Sequence, residues 1–434
     1  MKQSWKKNFS ILLIATLSSK AIGFLRELVI ASRFGVSQEF DILLTVFVVP
    51  NMIISLLLYA IPHIVIPRLD LGQKSEAKFY TLFAKQFFWP YIIFLLIIVI
   101  IYNLLFQLYI KLTPSIQFEN HIQLASNLTI LFAFFTFFSS TYNIFKAVYN
   151  AKERFTLPAF TPLLIHICVI LSVLFFYQEY GVLSFAYGLV LGSVLQIFVF
   201  VFDLVKRNIF KYFRFSLQPN KLHVGSYVII LLIEFLGQSY ALIDRSFIAD
   251  LPEGHISSMY YAGILNNLPV TIIGLTLGTV FFPKISLYAQ NRNFLVLKSF
   301  LKKGLVFSFL VGFPFSIVFY FYGEDIITLM FERGAFSNNA SFVTSKYLQV
   351  LSIGLPFIFF HILLAKACFA LHKERILFLS TFLAIVVKIV LSVLFMSKSY
   401  FWGLSLATSI SFMLNVIIIV LLLYRRSELF LKVK

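Results

Sequence analysis

The sequence predicts an all-α polytopic membrane protein of about twelve transmembrane helices, arranged as two parallel six-helix lobes. Three observations lead to this fold class. Hydrophobic residues make up 60% of the chain and charged residues only 12%, which is more apolar surface than a soluble core needs. Apolar stretches recur along the whole chain at lengths that cross a bilayer. Two sequence patterns also return at nearly one spacing, which indicates an internal duplication.

Twelve apolar segments account for most of the chain. In order, they cover residues 10–34, 40–66, 80–110, 122–149, 157–178, 181–204, 224–249, 257–282, 300–322, 341–370, 376–396 and 400–424. Each is long enough to cross about 30 Å of hydrocarbon as a helix. The first segment lacks a small-residue cleavage site, so we expect a retained span rather than a signal peptide.

The formal net charge of +18 is concentrated on one side of the predicted membrane. If the N-terminus is cytoplasmic, the even-numbered turns and the C-terminus are cytoplasmic as well. The basic residues on that side include Lys2, Lys6, Lys7, Arg68, Lys74, Lys206, Arg207, Lys211, Arg214, Arg292, Lys302, Lys303, Arg425 and Arg426. This distribution follows the positive-inside rule, so topology explains the charge and no nucleic acid partner is needed.

The chain contains two copies of one pattern. An Arg and a Pro stand 24 residues apart at Arg26 and Pro50, and again at Arg245 and Pro269, which gives an offset of 219 residues (245 − 26). Downstream, the segment KAVYNAKER is echoed by KACFALHKER at an offset of 220 (366 − 146). Two echoes at nearly the same offset indicate a duplicated six-span unit.

The duplication predicts two domains, an N-terminal lobe at residues 1–215 and a C-terminal lobe at residues 216–434. Each copy has an even number of spans, so both insert in the same orientation and are related by an axis along the membrane normal. Such an arrangement favours a central cavity between the lobes that opens alternately to either side of the membrane.

Three charges lie inside the first span. Lys20 falls roughly 15 Å into the bilayer, at the midplane, and Arg26 and Glu27 follow within two helical turns. A charge at that depth costs at least about 2.5–3.5 kcal/mol, so it needs water, a partner or a ligand. A buried pair of Lys20 with Glu27, which share a helical face, is one interpretation. A polar cavity for an anion is the one we favour.

The seventh span, which begins the second lobe, carries a polar stripe. Glu234, Gln238 and Arg245 occupy positions i, i+4 and i+11 on one helical face, and Asp244 adjoins Arg245. A local pair of Arg245 with Asp244 or Glu234 is the alternative to ligand binding.

Further polar residues lie in other spans. The second span begins near Asp41, and its Pro50-Asn51 step can break the backbone ladder and direct carbonyls towards a cavity. Lys366 and Lys388 lie in apolar surroundings, and Lys366 is close enough to a loop to extend to the cytoplasmic surface.

We expect no enzymatic activity and no cofactor. The sequence has no G-x-x-x-x-G-K-[ST] motif for ATP hydrolysis. The outer loops are short and carry few acidic residues, whereas a membrane glycosyltransferase needs paired carboxylates.

Several motifs carry a family resemblance that extends over almost the whole chain. They are SSKAIGFLRELVIASRFG, FDILLTVFVVPN, NAKERFTLPAFTPLL, MYYA, GLTLGTVFFPKIS and FERGAFS. In this order they strongly resemble the MurJ (MviN) family of lipid II flippases, whose superfamily includes the Wzx polysaccharide flippases and the MATE drug exporters. The resemblance implies a V-shaped bundle of two lobes in the bacterial cytoplasmic membrane. It also implies transport of an undecaprenyl-pyrophosphate-linked glycan, driven by membrane potential or by a gradient of H⁺ or Na⁺.

The resemblance also bears on individual residues. Lys20 and Arg26 match two cavity arginines of the family that meet the substrate's pyrophosphate, and Asp41 matches a family acidic residue. Lysine keeps the charge but loses the bidentate fork of arginine.

The chain departs from the family pattern at several positions. Well-studied members carry two basic residues and an acidic one where this chain has Ile54, Ser55 and Tyr59, and an acidic-basic pair where it has Gly263 and Ile264. Many relatives also add a final pair of spans. Part of the expected cavity charge is therefore missing, and Arg245 is a candidate to compensate.

The sequence therefore predicts an alternating-access flippase for a lipid-linked glycan, with lipid II favoured over a surface-polysaccharide repeat unit. The candidate substrate-binding residues are Lys20, Arg26, Arg245 and Asn51. The candidates for orienting those cations or coupling an ion are Glu27, Asp41, Glu234, Asp244 and Gln238. A MATE-like exporter of drugs or cations, and a transport-inactive partner of biosynthetic-complex proteins, are the remaining alternatives.

Overall fold

The structure, a computed structural model, describes residues 2–66, 69, 75–112, 121–217, 225–249, 251–276, 281–398 and 400–426. In these ranges the chain is helical and forms no β-strand. Two compact units account for it, Met1–Tyr227 with Arg333–Ala335, and Val228–Glu332 with Phe336–Lys434. The domain boundary between residues 215 and 216 stays a prediction of the sequence. Arg68 and Lys74, which the charge pattern places in a cytoplasmic turn, lie outside the described residues.

Within the described ranges, the first unit contains eight α-helices. They are α1 (Lys2–Phe34), α2 (Gln38–Val65), α3 (Glu76–Phe83), α4 (Trp89–Leu112), α5 (Ile122–Ala151), α6 (Thr156–Phe160), α7 (Pro162–Tyr180) and α8 (Leu183–Lys206). A π-helical turn at Ala84–Phe88 joins α3 to α4, and a short 3₁₀ turn at Phe210–Tyr212 follows α8.

The second unit contains nine α-helices within the described ranges. They are α9 (Gly225–Ile248), α10 (His255–Thr276), α11 (Phe282–Gln290), α12 (Phe294–Phe321), α13 (Gly323–Phe331), α14 (Asn338–Ser352), α15 (Leu355–Ala370), α16 (Glu374–Met396) and α17 (Gly403–Arg426).

The predicted all-α membrane fold is confirmed. Eight of the described helical segments are long and apolar enough to span a membrane, and the α14–α15 pair, bent by 48° at its break, forms a ninth candidate. The remaining long helices, α1, α9 and α10, have 33, 24 and 22 residues, and α1 and α9 carry seven of the nine candidate site residues. Each of the twelve predicted spans therefore coincides with a helix or with a broken helix.

Two predicted spans are interrupted where a proline begins the next helix. Pro162 starts α7 after the short α6, and Pro356 lies in the first turn of α15 after the break that ends α14. Proline has no N–H group and suits the first turn of a helix, where that group would have no partner. By contrast, α2 continues through both Pro50 and Pro62.

Close helix packing holds the first unit together around α5, α7 and α8. Gly188 and Gly192 lie one turn apart on α8, and a Cβ atom at either would come within 2.6 Å of the α7 backbone, at Val169 or Ile165. Small residues at this spacing let helices approach closely inside a membrane. The cavity-lining face of α5 is positioned by these neighbours.

Candidate functional site: a polar cavity in each unit

The first unit contains a cavity of about 200 Å³ between α1, α5 and the α6–α7 region. Two lysines line it, Lys20 from α1 and Lys146 from α5, together with Ser19 and Asn150. Lys20 is exposed, Lys146 is half-buried, and the Asn150 Oδ1 atom is buried without a hydrogen-bond partner among the described residues. The lining combines two cations with neutral polar groups, which suits an anionic ligand.

Arg26 and Glu27 form an ion pair at the next turns of α1. The Arg26 Nε atom donates to Glu27 Oε1 at 3.1 Å, and the Nη2 group contacts the same oxygen. Glu27 is buried, and the Arg26 guanidinium also lies 6.0 Å from the centre of the Phe185 ring. Glu27 thus pairs with its sequence neighbour Arg26.

The two candidates on α2 differ in their surroundings. Asp41 is buried in the first turn of the helix, where the N-terminal end of the helix dipole stabilises a carboxylate. Asn51 is exposed and follows Pro50 within the continuous helix. Pro50 cannot donate to the carbonyl four residues earlier, so that carbonyl is available to a polar neighbour.

In the second unit, two residues of the predicted polar stripe on α9 contact each other. The Gln238 Nε2 group donates to Glu234 Oε1 at 2.9 Å, so these two side chains pair along the helix. Arg245 donates from Nη1 to the carbonyl of Ile256 at 2.9 Å, which ties α9 to the first turn of α10.

Asp244 pairs with a residue from the other end of the unit. The Lys388 Nζ atom on α16 lies 2.8 Å from Asp244 Oδ1, and it also donates to Thr408 Oγ1 at 2.9 Å and to the carbonyl of Tyr240 at 3.3 Å. Lys388 is fully buried. The ammonium is thus enclosed by oxygen atoms from α9 and α17.

A larger cavity of about 490 Å³ lies beside this pair. Its polar lining comes from Asp244 and Arg245 on α9, Asn266 and Asn267 on α10, and Thr408 on α17. Because Lys388 neutralises Asp244, the charge that the lining presents is dominated by the Arg245 guanidinium.

The structure thus groups the predicted residues within each unit. Lys20 lines one cavity, Asp244 and Arg245 line the other, and Glu27, Glu234 and Gln238 each contact a neighbouring predicted residue. The convergence of Lys20, Arg26 and Arg245 on one substrate, and the roles of all nine candidate residues, stay predictions.

Comparison of the sequence with models of protein families shows which family this chain belongs to. The family model described as "Lipid II flippase MurJ" matches residues 30–433. The chain belongs to the lipid II flippase MurJ family. Curated relatives include a "Probable lipid II flippase MurJ" of Buchnera aphidicola subsp. Acyrthosiphon pisum, 24% identical over 433 residues, or 95% of this chain and 82% of the relative. A "Lipid II flippase MurJ" of Thermosipho africanus is 25% identical over 404 residues, or 93% of this chain and 82% of the relative.

Solved structures show the same fold. A lipid II flippase MurJ in an inward closed conformation superposes with a TM-score of 0.78 at 23% identity, covering 96% of this chain and 87% of that one. An inward-facing MATE family multidrug transporter gives 0.75 at 15% identity, covering 95% and 97%. The chain is therefore a multi-pass membrane protein with the fold that MurJ and MATE transporters share.

Two cations of this MurJ family member were not among the predicted site residues. The sequence placed Lys388 in apolar surroundings without a partner, and it marked Lys146 only as part of a repeated motif. The available signal was a lone lysine, which lies in the middle of an apolar span for Lys388 and near the end of one for Lys146. The partners of Lys388 (Asp244 and Thr408) and the cavity neighbour of Lys146 (Lys20) lie on other helices, so only the structure assigns them.

Proposed function

We propose that the chain transports a lipid-linked glycan across the bacterial cytoplasmic membrane by alternating access, with lipid II as the favoured substrate. Membership of the MurJ family along residues 30–433 carries this proposal. Both termini are cytoplasmic in this proposal, as the positive-inside distribution of lysine and arginine predicts.

The chemistry of the two cavities supports an anionic substrate group. A pyrophosphate cannot cross hydrocarbon unaided, because burying its charge without a partner is very costly. Lys20 lines the first cavity and Arg245 the second, and both offer cations in place of water. In this proposal Arg26, six residues after Lys20 on α1, adds a third cation. Glu27 and Asp41 would position these cations in the first unit, and Glu234, Gln238 and Asp244 in the second.

The MATE-like fold raises the alternative of an exporter of organic cations. A site for such cations favours carboxylates and aromatic faces. The carboxylates of Glu27 and Asp244 are instead paired with Arg26 and Lys388. We therefore expect no dye efflux by cells that express this chain.

The decisive experiment replaces the lipid II flippase of a bacterial host by this chain. After depletion of the host's own flippase, expression of the chain should restore growth and the appearance of lipid II at the outer leaflet. Failure at normal expression levels would contradict lipid II transport and would favour another lipid-linked glycan.

Arg26 supplies a matched negative control for this experiment. Arg26→Ala alone should abolish rescue, but it also leaves the buried Glu27 without this cation, which destabilises by about 3–5 kcal/mol when a buried pair is broken. Arg26→Ala combined with Glu27→Gln removes that charge as well. The double variant should accumulate normally in the membrane and still fail to rescue, and full rescue by it would overturn the role of Arg26.

A further inference from the structure

The first unit carries a further cation within a predicted span, Lys146. It lies on α5 among buried neighbours, and its side chain lines the same 200 Å³ cavity as Lys20 on α1. Among the described residues, no aspartate or glutamate contributes to this lining. In the described part of the chain, neither lysine forms a salt bridge.

Two ammonium groups at one small cavity repel each other, and the repulsion grows as the local dielectric falls. The aromatic ring of Tyr142, whose centre is 5.9 Å from Lys146 Nζ, offsets only part of this cost. An anion bound in this cavity would lie beside both lysines. The arrangement is thus more stable with an anionic ligand than without one.

We propose that Lys20 and Lys146 form a phosphate-binding subsite in the first unit, which takes the diphosphate group of the substrate. This assignment rests on the proposed function, because it adds Lys146 to the residues that bind the transported lipid.

The size and polarity of the cavity fit this ligand class. Its volume is below the roughly 300–1,000 Å³ of pockets that enclose drug-sized molecules, so it suits a headgroup fragment rather than a whole glycan. Ser19 offers a hydroxyl donor. The amide of Asn150 can present either its oxygen or its nitrogen, since the two are exchanged by a flip of the side chain. Lysine ammonium groups bind phosphate as point charges.

The test measures binding of two probes to the purified full-length protein by calorimetry at low ionic strength. The probes are inorganic pyrophosphate and farnesyl diphosphate. Lys146→Gln and Lys20→Gln should each weaken binding by at least about tenfold, the effect of losing one charge-assisted hydrogen bond. Weaker binding of both probes assigns the subsite to the diphosphate itself. Weaker binding of farnesyl diphosphate alone assigns the subsite to a lipid headgroup.

The chain offers a matched control in Lys366, the repeat counterpart of Lys146. Lys366 does not line this cavity and lies 5.5 Å from the Phe282 ring centre in the second unit. Lys366→Gln should leave binding within about twofold. Lys146→Gln should also raise or preserve the thermal unfolding midpoint, because it relieves repulsion between like charges. A purely structural lysine would instead lower the midpoint when replaced.

Unchanged binding in Lys146→Gln, or no binding of either probe by the unsubstituted protein, would overturn the subsite. The proposed function fails separately, when the unsubstituted chain does not replace the host flippase although it binds diphosphate through Lys146. Normal rescue together with unchanged binding in Lys146→Gln would leave the function standing and remove the subsite.

Discussion

Lys388 is fully buried in the second unit, and its ammonium contacts Asp244, Thr408 and the carbonyl of Tyr240. The ring of Tyr240 lies 4.6 Å from the same nitrogen, which adds a cation–π contact. Desolvating two charges is costly, so such a pair contributes little net stability while intact. Removal of one partner, by contrast, is strongly destabilising, because the other charge is left buried and unpaired.

We predict that Lys388→Met lowers the free energy of unfolding by about 3–5 kcal/mol, because the Asp244 carboxylate is left without its cation in a low-dielectric interior. Lys388→Met combined with Asp244→Asn should recover most of this loss, since both charges are then gone. Thermal unfolding of the purified protein in detergent measures the change, with exposed Lys302→Met as the control. A double variant as unstable as the single one would show that Lys388 stabilises through packing instead.

At the residue scale, the sequence predicted where charged residues lie along a helix better than it predicted which residues they pair with. The stripe of Glu234, Gln238 and Arg245 follows from helical spacing alone, and the Gln238–Glu234 bond obeys the i, i+4 rule. The Asp244–Lys388 pair joins residues 144 positions apart (388 − 244). Nothing in the sequence fixes which faces of α9 and α16 meet, so that partnership could not be predicted.

The contact between α7 and α8 depends on the two glycines of α8. A Cβ atom on Gly188 would lie 2.6 Å from Val169 Cα, and one on Gly192 would lie 2.6 Å from Ile165 Cα. Backbone atoms cannot move aside as a flexible side chain can. A methyl group at either position must therefore push the helices apart.

We predict that Gly192→Ala destabilises the protein by about 1–3 kcal/mol, the typical cost of overpacking, although alanine favours the helix itself. The matched control is Gly237→Ala on α9, where a new Cβ meets nothing within 4 Å. That change should be neutral or slightly stabilising, because it reduces the freedom of the unfolded chain. Thermal unfolding midpoints compare the two, and equal midpoints would rule out the close crossing.

At the element scale, the helices were predictable because spans of this length and hydropathy leave few alternatives in a membrane. The breaks within these helices were not predictable from the sequence. Pro162 and Pro356 start new helices, whereas Pro50 and Pro62 lie inside the continuous α2. The local sequence signal is the same at all four, and the packing around each proline decides whether the helix is interrupted.

For the whole molecule, the question is what drives transport in one direction. The proposed substrate carries a negatively charged pyrophosphate from the cytoplasm to the outside. A membrane potential that is negative inside favours this movement by about 2.3 kcal/mol per charge at 100 mV. No coupling ion is then required by energetics. We propose that the potential supplies the energy, and that the carboxylates of Glu27 and Asp244 orient cations.

The pairing of these carboxylates leads to a prediction for transport in reconstituted vesicles. Glu27 contacts Arg26 and Asp244 contacts Lys388, so a transported Na⁺ would have to displace a cation already in place at either carboxylate. Collapse of the membrane potential with valinomycin and matched K⁺ should therefore stop lipid II translocation. Removal of Na⁺, or of the pH gradient with nigericin, should leave the initial rate nearly unchanged. A strict requirement for Na⁺ would contradict the potential-driven mechanism and would assign an exchangeable cation to one of the candidate carboxylates, Glu27, Asp41, Glu234 or Asp244.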